Sequence, residues 1–333
     1  MKRLGAVVAA AAFAAGLLVA LPGPATAAKV LRVTLQLPMD NHLGRNLLLF
    51  KEDVERETGG EIRVEVYSSA VFYKDHEVPD AVSSGAIEMG VASLTQFAGT
   101  IPAVDIFYVP FMFPSVDVLN RATERDSPVR GPLDAAILET GARVLWWQPF
   151  GGTVLLSKRS PIISPDEIAG KKVRVFSKTL GAFVEALGGT AVETAGSEQR
   201  LAYIRGTVDA GMTGVTAVVS RGLYEAMDHL TTVDIAPVEF VVLINETVWR
   251  GFTEAERSTI TAAAGRAEAK LRGEVERLEA EAFETVRAKM NVVGLGPEQL
   301  AAWRLSNRPV LDAYLKRSGT LGRTLADAVR ALR

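Results

Sequence analysis

Residues 252–290 contain no proline and only two glycines, Gly265 and Gly273. Apolar residues recur there at Ile260, Ala264, Ala267, Leu271, Val275, Leu278, Ala282, Val286 and Met290. Their steps of three or four mark one face of a helix. Glu254 and Glu256 stand where a first turn begins and Lys289 near the far end, which complements the helix dipole. At about 1.5 Å per residue such a helix exceeds roughly 50 Å, more than the width of one small domain. The pattern predicts an element that spans and braces two lobes. Its rival is two helices broken at Gly265 or Gly273, since glycine costs about 1 kcal/mol in a helix interior.

Upstream, strand and helix patterns alternate. Residues 30–35 and 62–67 alternate apolar and polar side chains as strands do, with an amphipathic helix over 45–57 between them and a stop at Gly59-Gly60. A short helix over 78–84 and a strand over 87–91 follow. Strands are predicted again at 144–147, 154–156, 172–176 and 240–245, with helices over 180–187 and 198–204. This rhythm predicts an α/β architecture with a mostly parallel sheet covered by helices. Trp146 and Trp147 are adjacent on a predicted strand and so face opposite ways, one into the core and the other toward a cleft.

The N-terminus reads as a removable leader, residues 1–28. Lys2 and Arg3 precede the uncharged run 4–21, Pro22-Gly23-Pro24 ends it, and Ala25-Thr26-Ala27 follows as a cleavage signal. A membrane anchor is the weaker reading, because the small-residue signal comes directly after the run. Cysteine is absent, which removes disulfides, thiol nucleophiles, thiolate metal sites and a cysteine-borne lipid tether. A free periplasmic protein, secreted through the cleaved leader and not embedded in a membrane, is the expectation. Without Lys2 and Arg3, 35 basic residues stand against 39 acidic ones. That near balance argues against a nucleic-acid partner.

The residue with the sharpest chemistry is Arg174, in the stretch 161–175 (PIISPDEIAGKKVRV). It sits on an apolar strand pattern just past a turn at Gly170. A guanidinium is always charged, and burying it unpaired is costly. Either a protein carboxylate, such as Glu193 or Glu198, pairs with it, or a ligand carboxylate does.

Four stretches in order resemble one family: 52–66 (EDVERETGGEIRVEV), 78–89 (VPDAVSSGAIEM), 109–113 (VPFMF) and 161–175. The chain resembles the extracytoplasmic solute receptors of TRAP transporters, of the dicarboxylate-binding (DctP) type, over nearly its whole length beyond the leader. The resemblance implies a two-lobe periplasmic binding protein fold with hinge strands and a long helix spanning both lobes. The division drawn from it is 29–151 with 237–275 for lobe I, and 152–236 with 276–333 for lobe II. It implies capture of a small organic acid in the interlobe cleft and delivery to TRAP membrane permease subunits, with no cofactor and no ATP site on this chain. Arg174 matches the family's carboxylate-binding arginine.

Elsewhere the chain departs from the family's pattern. Thr153 stands where many relatives carry a second arginine, Gly196 where an aromatic lid is common, Thr213 where an amide often meets ligand, and Phe176 in place of a proline. One strong cation with threonine hydroxyls and aromatic faces suits a monocarboxylate or a larger organic acid better than a four-carbon diacid. From the first lobe, Gln36, Asp75, Ser93 and Gln96 are candidates, all near carboxyl ends of predicted strands, where open α/β sheets present ligands.

The same fold and site would serve a receptor that presents its ligand to a sensor kinase. An enzyme is disfavoured. His42, His76 and His229 have no metal-ligand spacing, Ser197 lacks the second glycine of a nucleophile elbow, and Gly294-x-Gly296 runs into Pro297 without a phosphate-binding helix. No catalytic residue and no metal site is assigned.

Overall fold

The computed structural model describes residues 28–333; the expected leader lies outside them, apart from Ala28. Ten strands form one continuous system: β1 (Lys29–Leu35), β2 (Ile62–Tyr67), β3 (Met89–Ser93), β4 (Ala142–Ser157), β5 (Lys172–Val175), β6 (Thr190–Glu193), β7 (Ala210–Gly214), β8 (His229–Thr232), β9 (Pro237–Asn245) and β10 (Asn291–Gly294). The main order is β2-β1-β3-β9-β4-β7-β5-β6, with β8 on β4 and β10 on β8. β1 is parallel to β2 and β3, and β5 to β6 and β7, while β9 runs antiparallel to both neighbours. A mixed α/β fold with a parallel majority is what the alternating pattern predicts.

One strand joins the halves. Residues 144–147 and 154–156, read from sequence as two strands, belong to the single 16-residue β4. Its first part pairs with β9 over Ala142–Gly152, and its last part pairs with β7 over Thr153–Ser157. The intervening Pro149-Phe150-Gly151-Gly152 looks like a break in sequence, but the structure uses it as a bulge within pairing. Residues 233–236 carry the chain back beside it, and Thr153 donates both its amide N–H (3.0 Å) and its hydroxyl (2.6 Å) to Ala236 O.

Two glycines let this crossing close up. Gly151 has φ +105°, and a Cβ there would lie 2.2 Å from Glu279 Oε1; one on Gly152 would lie 2.4 Å from Asp234 Oδ1. Glu279 comes from the long helix and accepts a 2.8 Å hydrogen bond from Gly152 N–H. Burial, reinforced by Asp234 and Glu276, pushes its carboxyl up to about 7.

The long helix is unbroken from Glu254 to Arg287, 34 residues. Thr253 caps it: its hydroxyl accepts from Glu256 N–H, and Glu256 accepts in return from Thr253 N–H, satisfying donors a helix start leaves orphaned. Gly265 and Gly273 do not break it; packing overrides their propensity. Ile260, Ala264, Ala267, Leu271, Ala282 and Val286 are buried along the expected seam. The helix packs on the helix His42–Glu57 and on β4 in one half, and on the helix Val215–Ser220 in the other. Ion pairs fasten it further: buried Arg130 meets Glu268, and Arg272 meets buried Glu239.

Both tryptophans of β4 are core. Trp146 Nε1 donates to Asn46 Oδ1 (3.0 Å) and Trp147 Nε1 to Asp134 Oδ1 (2.8 Å), and both rings are fully buried. The expectation that one reaches the cleft is corrected. Helices Pro297–Leu305, Arg308–Arg317 and Gly319–Ala331 end the chain. Trp303 packs beside Phe183 in the second half, whereas Tyr314, Arg317 and the last helix return to the turn Pro102–Tyr108 of the first.

The native state holds a proton on Glu279 up to about pH 7, while an unfolded glutamate releases it near 4.5. Between those values the folded protein binds more protons, so this group's contribution to stability falls as pH rises. Glu279→Gln should therefore be more stable than the parent by about 3 kcal/mol at pH 8, with the gap closing toward pH 4.5. Denaturant midpoints at the two pH values check this.

Candidate functional site

Where the two halves face each other, strand ends from both converge on one cavity of about 30 Å³. Its walls include Gln36, Asp75, Ser93, Val238 and Phe240 from the first half, Phe150 from the crossing, and Arg174, Phe176, Gly196, Thr213, Gly214 and Arg221 from the second. Gln36 follows β1, Ser93 ends β3, Thr213 lies in β7 and Phe176 follows β5. These are the carboxyl ends of parallel-type strands, where side chains can converge without competing with the ladder.

Arg174 is 3% exposed and has no carboxylate partner among the described residues. Glu198, one partner considered from sequence, pairs instead with Lys74 at 2.7 Å. Backbone carbonyls hold the guanidinium: Nε and Nη2 donate to Thr194 O (3.1 and 2.8 Å) and Nη1 to Met212 O (2.6 Å). Its carbon lies 5.3 Å from the Phe176 ring centroid, within reach of a cation–π attraction. These neutral partners fix three of its five N–H groups and leave the charge uncompensated. Burial accordingly pulls its pKa down, with Tyr203, Asp75 and Glu193 opposing.

Asp75 is buried on the opposite wall. Its Oδ1 accepts from Ser93 N–H (2.9 Å), and its Oδ2 from the Ser93 hydroxyl and from Gln96 Nε2 (2.9 Å). Burial raises its pKa, while these donors and Arg221 act against the rise. A backbone N–H and an amide N–H can only donate, so the arrangement is built for a carboxylate.

Of the eight residues singled out from sequence, Arg174, Phe176, Thr213, Ser93, Gln36 and Asp75 line this cavity. Gln96 stands behind it, bonded to Asp75 and Ser93. Thr153 does not reach it: its hydroxyl is spent on Ala236 O, and it lines a different cavity, next to Glu279, at the back of the crossing.

Sequence reasoning missed Arg221. It follows the helix Val215–Ser220 and has Glu225 four residues on, which reads as a surface ion pair; the structure pairs Glu225 with Arg200 instead. Arg221 Nη2 donates to Gln36 Oε1 (3.0 Å), joining the halves across the cleft. Gly196 makes this approach feasible. A Cβ there would fall 2.5 Å from Gln36 Oε1 and 2.6 Å from Arg221 Nη2. The room left by a missing aromatic lid is thus occupied by a second cation. Burial, then repulsion from Arg174, lowers the Arg221 pKa to about 9. The expectation of one cationic anchor is corrected: two arginines share the cavity.

A fold of two halves joined by crossing strands, with an uncompensated guanidinium between them, now meets its counterparts among known proteins. The model of the bacterial extracellular solute-binding protein family 7, DctP, matches residues 36–317. The chain belongs to this family. It is a TRAP-type extracytoplasmic solute receptor. It is similar to the C4-dicarboxylate-binding periplasmic protein DctP of Rhodobacter capsulatus, 27% identical over 96% of this chain and 95% of that one. A TRAP periplasmic solute-binding protein from Sulfurospirillum deleyianum, solved with succinate, superposes with a TM-score of 0.85 at 25% identity, over 92% of this receptor and 100% of that chain. A Bordetella pertussis extracytoplasmic solute receptor binding pyroglutamic acid superposes at 0.86 and 20%, over 91% and 100%. Among the described residues no helix is long and apolar enough to cross a membrane, and no group of three or more metal-ligating side chains occurs.

Polar contacts that bridge the halves of this receptor include Arg221–Gln36, Asn41–Ser220 (3.1 Å), Thr179–Asp105 (2.6 Å) and Lys74–Glu198. The last is exposed on both sides, at 43% and 48%, where screening leaves an ion pair worth little. Lys74→Ala should change the unfolding free energy by less than about 1 kcal/mol, measured by urea titration.

Proposed function

We propose that this receptor captures a small organic acid between its halves in the periplasm, after cleavage of the leader 1–28, and delivers it to a TRAP membrane permease. The two lobes of this reading are 29–151 with 237–275 and 152–236 with 276–333, with the terminal helix reaching back onto the first. They close about the paired crossings at Gly151–Thr153 and residues 233–237. The observation that carries the proposal is the Arg174 guanidinium, buried at the cleft, oriented by three carbonyl hydrogen bonds and without an ion pair among the described residues.

A guanidinium in this state offers a carboxylate direction as well as charge. Closure removes water and strengthens the pair. Thr213 from β7 adds a hydroxyl, Ser93 from β3 spends its own on holding Asp75 at the opposite wall, and Phe176 supplies an apolar face. A receptor of this kind needs no chemistry at the site, only a difference in affinity between open and closed states. Similar proteins support the acid class: one is solved with succinate and another binds pyroglutamic acid.

Arg174→Ala removes one partner of a desolvated charge pair, a change that costs about 2–5 kcal/mol. The dissociation constant for the best-binding acid should rise about thirty-fold to several-thousand-fold. Arg174→Lys should recover only part of this, because an ammonium cannot reproduce the two-pronged contact. Calorimetric titration with organic acids checks both variants; unchanged affinity in Arg174→Ala would sink the proposal.

A further inference from the structure

We infer that the cleft is built for a compact acid with one carboxylate and a hydrogen-bond donor beside it, a hydroxyl or ring N–H, with Arg221 as a second carboxylate contact and Asp75 as the acceptor for that donor. The inference rests on the acid-capture reading and narrows its substrate class.

Charge leads to it first. The titratable groups on the cavity wall are Arg174, Arg221 and Asp75. Two cations and one carboxylate leave one net positive charge on the cavity wall. A monoanion cancels it. A dianion leaves a surplus negative charge shielded from water and facing Asp75, which is costly.

Asp75 itself is the second argument. A carboxylate oxygen accepts about two hydrogen bonds. Oδ2 has two protein donors, but Oδ1 has one, from Ser93 N–H. One acceptor direction of a buried carboxylate on the cavity wall is without a protein donor among the described residues. An acid lacking a hydroxyl or N–H would leave it so. An acid carrying one beside its carboxylate would satisfy it while its charge rests on the arginines.

The third is the standing of Arg221. Its protein acceptor is the neutral Gln36 amide, so its charge, like that of Arg174, is held in place without being neutralised. Arg174 and Arg221 both belong to the second half and repel each other, and an anion drawn between them relieves that repulsion.

The full mature chain, stripped of bound solute, tests this by calorimetry at pH 7.5 with L-lactate, pyroglutamate, propionate and succinate. Lactate or pyroglutamate should bind at least tenfold more tightly than both propionate, which lacks the donor, and succinate, which carries two charges. Asp75→Asn should shrink the preference over propionate severalfold and shift selectivity toward succinate. Arg221→Gln, which keeps an amide donor for Gln36, should weaken every acid at least tenfold and succinate most of all. Preference of the parent protein for succinate or propionate overturns the inference while leaving acid capture intact. So does an unchanged lactate-to-succinate ratio in either variant. Failure of every acid to bind the parent would overturn acid capture as well. The comparison on the parent protein is decisive even if a variant fails to fold.

Discussion

A buried positive charge with no carboxylate partner among the described residues is the constraint on which this molecule turns. The fold holds Arg174 by backbone oxygen, from Thr194 after β6 and Met212 within β7. Carbonyl dipoles orient a guanidinium and soften its desolvation, yet they do not discharge it. A carboxylate side chain in the same place would stabilise the protein more and leave nothing for a ligand to do. The site therefore gives up some stability to keep an attraction in reserve, a common trade at binding sites.

The rest of the architecture protects that reserve. Strand ends from both halves deliver polar groups to the cleft, while the apolar mass stays behind them: Trp146, Trp147, Phe107 and Phe183 are fully buried. The long helix runs behind the crossing and touches both halves, with Arg130–Glu268 and Arg272–Glu239 fixing it to the first. Gly196 belongs to the same design. Its missing side chain lets Arg221 and Gln36 meet, so a residue with no functional group determines which charges the cavity contains.

The architecture was largely legible in sequence because its signals are local. Steps of three and four in 260–286 expose a helix seam, and two interior glycines could not undo it against a packed face. Arg174 was legible because a lone cation on a strand pattern is chemically conspicuous. Arg221 was not, since nothing in its local sequence sets it apart from the chain's other arginines and its partner Gln36 lies in the other half. Thr153 misled for a related reason. Its place in the chain is next to the cleft, but the pairing of β4 with the returning strand turns its hydroxyl to Ala236. The single β4 was hidden by Pro149-Phe150-Gly151-Gly152, residues that usually end a strand and here only bulge it. Long-range partners, not local propensity, decide all three cases.

That bulged ribbon sets the mechanics of the molecule. The halves are not beads on a slack tether; they share hydrogen-bonded strands, wedged by Glu279 and Asp234 against two glycines. Relative motion of the halves would have to twist this ribbon, and its pairing resists that. Any change in the angle between the halves is therefore confined to bending and twisting of paired strands, and no free linker is there to absorb it.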